Sequence, residues 1–337
     1  MRRQRTFFDV RRVRRSAAVT LLTAVLVACA PGVATPRPTP GTPGSSQSAP
    51  HHSCRANDAV VTINDPAVFD AVASQAFGAN VDATELRCSD LARVTRLNVT
   101  GARSLAGLEY AVNLSQLTVR NSGVSSLAPV EGLARLTTLN VTGSSLTTLH
   151  SLPALPALVA LDISTNLVSD LTPLANVPGL TYLKANGNAI SDISGLEDLR
   201  ELVWVDLSDN PITDITALSG HEHLETLLLN DNFISDAGPL SGAARLQRLS
   251  LANNRLANVD FIKGLELRTV DLSGNNITSV RGVAENRYID GSRSVDLRGN
   301  CIDLTSEDPL TQDVVATGGG VQLEPQREDC SFEALGS

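Results

Sequence analysis

Few groupings in this chain have the residue types and spacing that reaction chemistry demands. His51 and His52 adjoin in a Pro- and Ser-rich stretch, and His221 and His223 flank Glu222. A zinc site needs three or four ligands in fixed geometry, and neither pair has a third at suitable spacing. Incidental histidines at 51 and 52 and a solvated patch at 221–223 are therefore expected. The sequence holds no Gly-x-Ser-x-Gly elbow and no His-Glu-x-x-His, and Gly318-Gly319-Gly320 precedes no helix carrying a lysine, as a phosphate loop would. The expectation is a protein that is no enzyme and needs neither metal nor cofactor. What remains suits recognition: Tyr182, Lys184, Trp204, Asp206, Leu228, Asn230 and Arg248, whose positions are set by a repeating unit.

That unit is 22 residues long and is written most clearly between Leu158 and Asn254. The pairs Leu161/Ile163, Leu183/Ala185, Val205/Leu207, Leu227/Leu229 and Leu249/Leu251 are each followed three residues later by Asn166, Asn188, Asn210, Asn232 or Asn254. Self-similarity at this period with this leucine spacing marks a leucine-rich-repeat solenoid. Alternation around each pair predicts a short strand with one buried face. The asparagine sits where the chain turns inward; its amide can donate and accept, so stacked asparagines can satisfy turn backbone groups that burial cuts off from water. Beyond it the apolar spacing becomes three, through Ile190, Ile193, Leu196, Leu199, Leu202 and Val205, which suits 3₁₀ turns better than an α-helix. The fold class is an α/β-type solenoid, a leucine-rich-repeat horseshoe with a concave parallel sheet and a 3₁₀ or irregular convex side. Early units put Ala102, Ser122 and Ser144 at the asparagine position, so their turns should be less ideal. Late units continue through Asn275 and Asn300, with an inserted loop from Glu285 to Ser292.

An open solenoid needs caps on its apolar ends. In residues 54–90 the repeat is absent, and Asp65-Pro66 followed by Val68, Phe69, Val72, Ala76, Phe77 and Gly78 predicts a capped amphipathic helix. Residues 301–337 should close the other end with a helix from Thr305 to Ala316 and a strand at Val321-Gln322-Leu323. The repeats, about ten, occupy 91–300. Four of the five cysteines sit in these caps, pairing Cys54 with Cys88 and Cys301 with Cys330. Other connectivities exist on paper, but opposite ends of a solenoid cannot meet within disulfide distance. Free thiols are disfavoured in an exported protein.

Export is indicated by residues 1–28, where seven arginines precede an apolar run from Ala17 to Ala28 too short to span a bilayer comfortably. The run ends in Leu26-Val27-Ala28-Cys29, which resembles the bacterial lipobox, whose cysteine is lipidated and becomes the mature N-terminus. A twin-arginine context is missing. Residues 29–53, rich in Pro, Thr and Ser, form a linker able to reach ~70 Å when extended. The leader carries seven arginines against Asp9, a charge of +6, so its removal takes the formal charge from −9 to −15. An acidic body argues against nucleic acid and against direct adhesion to anionic lipid, leaving the N-terminal lipid as the membrane contact. Aromatics are 3% of the chain and aliphatic residues must fill the core. Asn98, Asn140 and Asn276 form sequons inside strands or turns of a bacterial-looking lipoprotein, so glycosylation is not expected.

The text Val61-Thr-Ile-Asn-Asp-Pro66-Ala-Val-Phe-Asp-Ala-Val72, then Asp90-Leu91, then Gly107-Leu-Glu-Tyr110-Ala-Val-Asn113-Leu114, resembles internalin-type bacterial leucine-rich-repeat proteins. Asn300-Cys-Ile-Asp303-Leu-Thr305 and Glu324-Pro325-Gln326 are similar to the closing cap of related surface proteins. The resemblance runs from about Asp58 to Gln326 and implies binding of host or cell-surface proteins on the concave face, often through aromatic residues. The chain departs from it in carrying a lipobox and no visible wall-sorting tail, so host invasion does not follow.

In each coil, the residues before, between and after the strand pair face the concave side. Most coils fill these positions with small polar groups, as at Thr138, Asn140 and Thr142. The middle coils instead place Tyr182, Lys184, Trp204, Asp206, Leu228, Asn230 and Arg248 there, a composition suited to a binding hot spot; scattered surface apolar residues are the plain alternative. Asp206, with Asp162 and Asp271 in the same column, favours a basic partner. The expected protein is a lipid-anchored monomer outside the bacterial membrane, or in the periplasm of a Gram-negative cell, that binds a protein ligand. The alternative is a binder of peptidoglycan or another envelope glycan.

Overall fold

The computed structural model describes residues 58–78, 83–289, 292–317, 320–327 and 330. Cys29, the 29–53 linker, His51, His52 and Cys54 lie outside them.

The described residues begin with a cap. A two-stranded antiparallel sheet, β1 (Val60–Val61) with β2 (Leu86–Arg87), brackets helix α1 (Pro66–Phe77), and a short helix α2 (Cys88–Leu91) follows. Helix α1 starts and stops where its sequence says. The Asp65 carboxylate accepts from the Ala67 and Val68 N–H groups, Pro66 takes the first helical position, and Gly78 ends the helix at φ 94°. Asp65 also accepts from the backbone N–H groups of Arg103 at 2.6 Å and Ser104 at 3.1 Å, which ties the cap to the first coil. Burial opposes ionisation of Asp65, but these backbone donors outweigh it and hold the carboxyl below its ordinary range. Cys88, buried at the start of α2, is disulfide-bonded.

Eleven parallel strands then stack in chain order into one sheet. They are β3 (Arg96–Thr100), β4 (Gln116–Arg120), β5 (Thr138–Thr142), β6 (Ala160–Asp162), β7 (Tyr182–Lys184), β8 (Trp204–Asp206), β9 (Thr226–Leu228), β10 (Arg248–Ser250), β11 (Thr269–Asp271), β12 (Ser294–Asp296) and β13 (Val321–Gln322). One residue of each central strand, such as Leu183, Val205 or Leu227, points into a continuous aliphatic core, and its flanking residues face out. The convex side is built from 3₁₀ turns, among them Thr172–Asn176, Ser194–Leu196 and Thr216–Leu218. Their i, i+3 apolar residues Ile193, Leu196, Leu199 and Leu202 are all buried, as period-three spacing requires. The turns nest tightly: a Cβ on Gly195 would sit 2.4 Å from the Leu171 carbonyl.

The asparagines form the ladder expected of them. Asn210 donates through Nδ2 to the carbonyls of Leu207 in its own coil and Ala185 in the preceding one, at 3.0 and 3.1 Å. Its Oδ1 accepts from the Ile190 N–H at 3.0 Å. The same two-coil bridge recurs at Asn166, Asn188, Asn232, Asn254, Asn275 and Asn300. In the early coils Ser122 and Ser144 hydroxyls bond back to Arg120 and Thr142 of their own coil instead. The residue before the ladder position turns left-handed in each coil. Glycine supplies this at Gly187 and Gly274, but Thr165, Asp209, Asp231 and Asn253 adopt φ 56° without it.

At the far end the inserted loop is anchored by buried Asn286, which donates to the carbonyls of Ile262 and Leu265. The terminal helix α3 runs Pro309–Thr317, four residues later than the expected start at Thr305. Asp303 binds the Thr305 N–H and hydroxyl in a local turn, while Asp308 accepts from Thr311 and caps the helix with proline at its first position. Strand β13 pairs with β12, and a disulfide joins Cys301 to Cys330. Gln326 then takes the place of one more asparagine. Its Nε2 reaches the Leu297 and Leu323 carbonyls and its Oε1 accepts from the Ile302 N–H.

Candidate functional site

The concave face around β7 and β8 brings the central candidates together. Parallel register sets Tyr182 beside Trp204 and Lys184 beside Asp206. The two rings stack with centroids 4.3 Å apart and planes within 8°. Both are half-buried, on the face opposite the core. Burial raises the Tyr182 hydroxyl pKa, and the carboxylates of Asp162 and Asp206 raise it further, so the ring edge sits in a negative field. Leu228 follows Asp206 in the same column, one strand on.

Three candidates sit differently from the open arrangement the pattern suggests. Asp206 is 8% exposed and accepts from the Ser208 N–H at 3.0 Å, so it is largely a turn-bracing group. Asn230 is tied into the scaffold, its Oδ1 accepting from the Ser250 hydroxyl and the Ala252 N–H. Arg248 lies two strands from Trp204, with Thr226 between them.

The expected solvated patch at His221 is corrected by its burial: this histidine is 1% exposed. It stands 22 residues after Leu199 and 22 before Ala243, in the apolar column of the convex side, and its Nε2 lies 3.1 Å from the Leu196 carbonyl oxygen. Burial, then the charge of Arg200, lowers its pKa below the ordinary value. His223 stays at the surface, its Nδ1 3.1 Å from an Arg245 guanidinium nitrogen. Among the described residues no group of three or more His, Cys, Asp or Glu could hold a metal ion.

Sequence reasoning also passed over the position directly after each ladder asparagine, which faces outward at the edge. Leu167 is 63% and Phe233 44% exposed there, and Arg255 stacks over the Phe233 ring at 4.6 Å. An open cleft of about 400 Å³ at Asp192, Glu197 and Asp214 lies on the turn side, away from the aromatic pair. Among the described residues, no helix is long and apolar enough to cross a membrane.

The fold and its ladder define a leucine-rich-repeat solenoid of internalin-like build. Residues 222–264 match the family described as leucine rich repeats in two copies. A crystal structure of internalin C2 from Listeria monocytogenes is similar at 28% identity with a TM-score of 0.58, over 62% of this chain and 93% of that one. The functional domain of InlJ from the same organism, which includes a cysteine ladder, gives 22% identity and 0.55, over 72% of this chain and 57% of that one. A leucine-rich-repeat protein of Leptospira interrogans gives 18% identity and 0.59, over 70% and 62%. These last two likenesses concern the fold. A search of curated proteins found no match.

Proposed function

We propose that this chain is a surface-tethered adhesion or protein-interaction module that grips a protein ligand on its concave face, with Tyr182 and Trp204 at the centre. One observation carries the reading: a stacked aromatic pair stands on the sheet face opposite an aliphatic core that has no use for it. Large, rigid rings of this kind contribute much binding energy when a partner desolvates them. In this reading residues 1–28 direct export, Cys29 carries the lipid, residues 29–53 form the tether, and caps at 54–90 and 301–337 close the repeats. The domain works outside the membrane, as a monomer and without catalysis.

The test is photo-crosslinking of the purified ectodomain at a cell surface from a reactive side chain at Thr226, beside Trp204. A protein adduct that disappears in the Tyr182→Ala, Trp204→Ala double variant supports the reading. Equal capture by the double variant, or capture by purified envelope glycan in place of protein, refutes it.

A further inference from the structure

Resting on that reading, we propose that a slot over Ala160, walled by the outer face of Tyr182 and floored by Asp162, receives an arginine side chain of the protein ligand. Register places Thr138, Ala160, Tyr182 and Trp204 on consecutive strands of the concave face. Trp204 covers one face of the Tyr182 ring, and the other is turned toward Ala160. Ala160 has the smallest side chain of the column that runs from Arg96 to Ser294. With strands about 4.8 Å apart, Tyr182 and Thr138 stand roughly 10 Å apart across it, which leaves room for one planar group between them.

The floor supplies the charge. Asp162 follows Ala160 by two residues on the same face. Its Oδ1 accepts from the Ser164 N–H at 3.0 Å and the Ser164 hydroxyl at 2.5 Å, and its Oδ2 accepts from Asn140 Nδ2 at 3.1 Å. A carboxylate offers about four acceptor positions, so one remains, on Oδ2. All three donors are neutral: the carboxylate is held in place without being neutralised. Lys184 stands between Asp162 and Asp206 in register, but among the described residues it forms no ion pair with either.

A fixed carboxylate beside an uncovered aromatic face is the complement of a guanidinium, which stacks through its plane and donates through its edge. A lysine ammonium could meet the carboxylate but not fill the flat slot. The molecule already uses the same pairing at its edge, where the Arg255 guanidinium lies over Phe233. The negative field at Tyr182 from Asp162 and Asp206 points the same way.

Trp204 is the single tryptophan of the chain, so its fluorescence reports on this slot directly. The mature protein is titrated with blocked Gly-Arg-Gly, and with its lysine and citrulline counterparts. The expected result is a saturable change with the arginine peptide, at least tenfold weaker with citrulline or lysine, and at least tenfold weaker for Asp162→Asn, which keeps a side chain of the same shape. Ala160→Leu, which fills the slot, should abolish it; urea midpoints establish that each variant is folded, and should Ala160→Leu not fold, Asp162→Asn and citrulline decide alone. No saturable response, equal response to citrulline, or an unchanged Asp162→Asn overturns the slot. If the slot fails while Tyr182→Ala, Trp204→Ala still loses the crosslinked partner, the concave-face reading stands without it.

Discussion

Trp204 follows Tyr182 by one strand in perfect register, and the two rings lie 8° from parallel at 4.3 Å. Stacking rings on adjacent strands immobilises both before any ligand arrives, so little side-chain entropy is left to lose on binding.

Trp204→Ala should therefore weaken binding of the protein ligand by about 2 kcal/mol or more, roughly thirtyfold. The urea midpoint should stay unchanged, because Trp204 lies outside the aliphatic core. Titration calorimetry with the crosslinked partner checks this. Wild-type affinity in the Tyr182→Ala, Trp204→Ala variant would move the site to the convex side or to the inserted loop at Glu285 to Ser292.

Asn232→Ala tests the ladder. Asn232 donates to the carbonyls of Leu207, Leu229 and Asn230 and accepts from the Ile212 N–H, all within 3.0 to 3.1 Å. The change strands buried backbone groups in two coils at once, at a cost of about 2 to 4 kcal/mol. Chemical denaturation measures it, and a loss below about 0.5 kcal/mol would show the ladder to be ornamental.

The pH response follows from His221. The ring is buried, its Nδ1 lacks a hydrogen-bond partner among the described residues, and its folded pKa lies below the ordinary 6.5. Below pH 6.5 the unfolded chain takes up a proton that the folded ring resists. Stability is then full above that value and declines as pH falls toward the folded pKa. His221→Leu, matching Leu199 and Leu265 in the same column, should flatten this acid-side slope. Superimposable stability–pH curves for the two proteins would contradict the assignment.

The terminal disulfide spans 29 residues, a loop worth about 3 to 4 kcal/mol in the chain-entropy model. Because each coil touches little beyond its neighbours, replacing Cys301 and Cys330 by alanine should loosen the closing cap rather than the whole domain. Hydrogen exchange should rise around β12, β13 and Gln326 while Leu183 and Val205 stay protected. Uniform acceleration throughout would argue for a single cooperative unit instead.

Cys29→Ala should release the protein from the membrane or leave it misprocessed. Membrane fractionation and the N-terminal mass decide this, and no change in either would refute lipidation.

Much of this architecture could be read from letters because the solenoid repeats the same physical problem in every coil. Leucines at fixed offsets gave strands and turns, and Asp65, Pro66 and Gly78 delimited α1 to the residue. Periodicity counts apolar letters, however, and so misread His221, a polar residue standing in a leucine position. It was equally silent on Thr165, whose left-handed backbone is imposed by neighbouring coils against its own preference. The aromatic pair was visible as composition, but its stacking, the bracing role of Asp206 and the open floor at Asp162 depend on side-chain geometry.

Gln326 completes the asparagine series with a longer amide, which meets the last coil at the carbonyl of Leu297 and the N–H of Ile302. An added coil copied in register would present those same two groups to the same glutamine. Gene duplication or deletion of 22-residue units can thus lengthen or shorten the concave sheet in steps of about 4.8 Å, with neither terminus having to evolve anew.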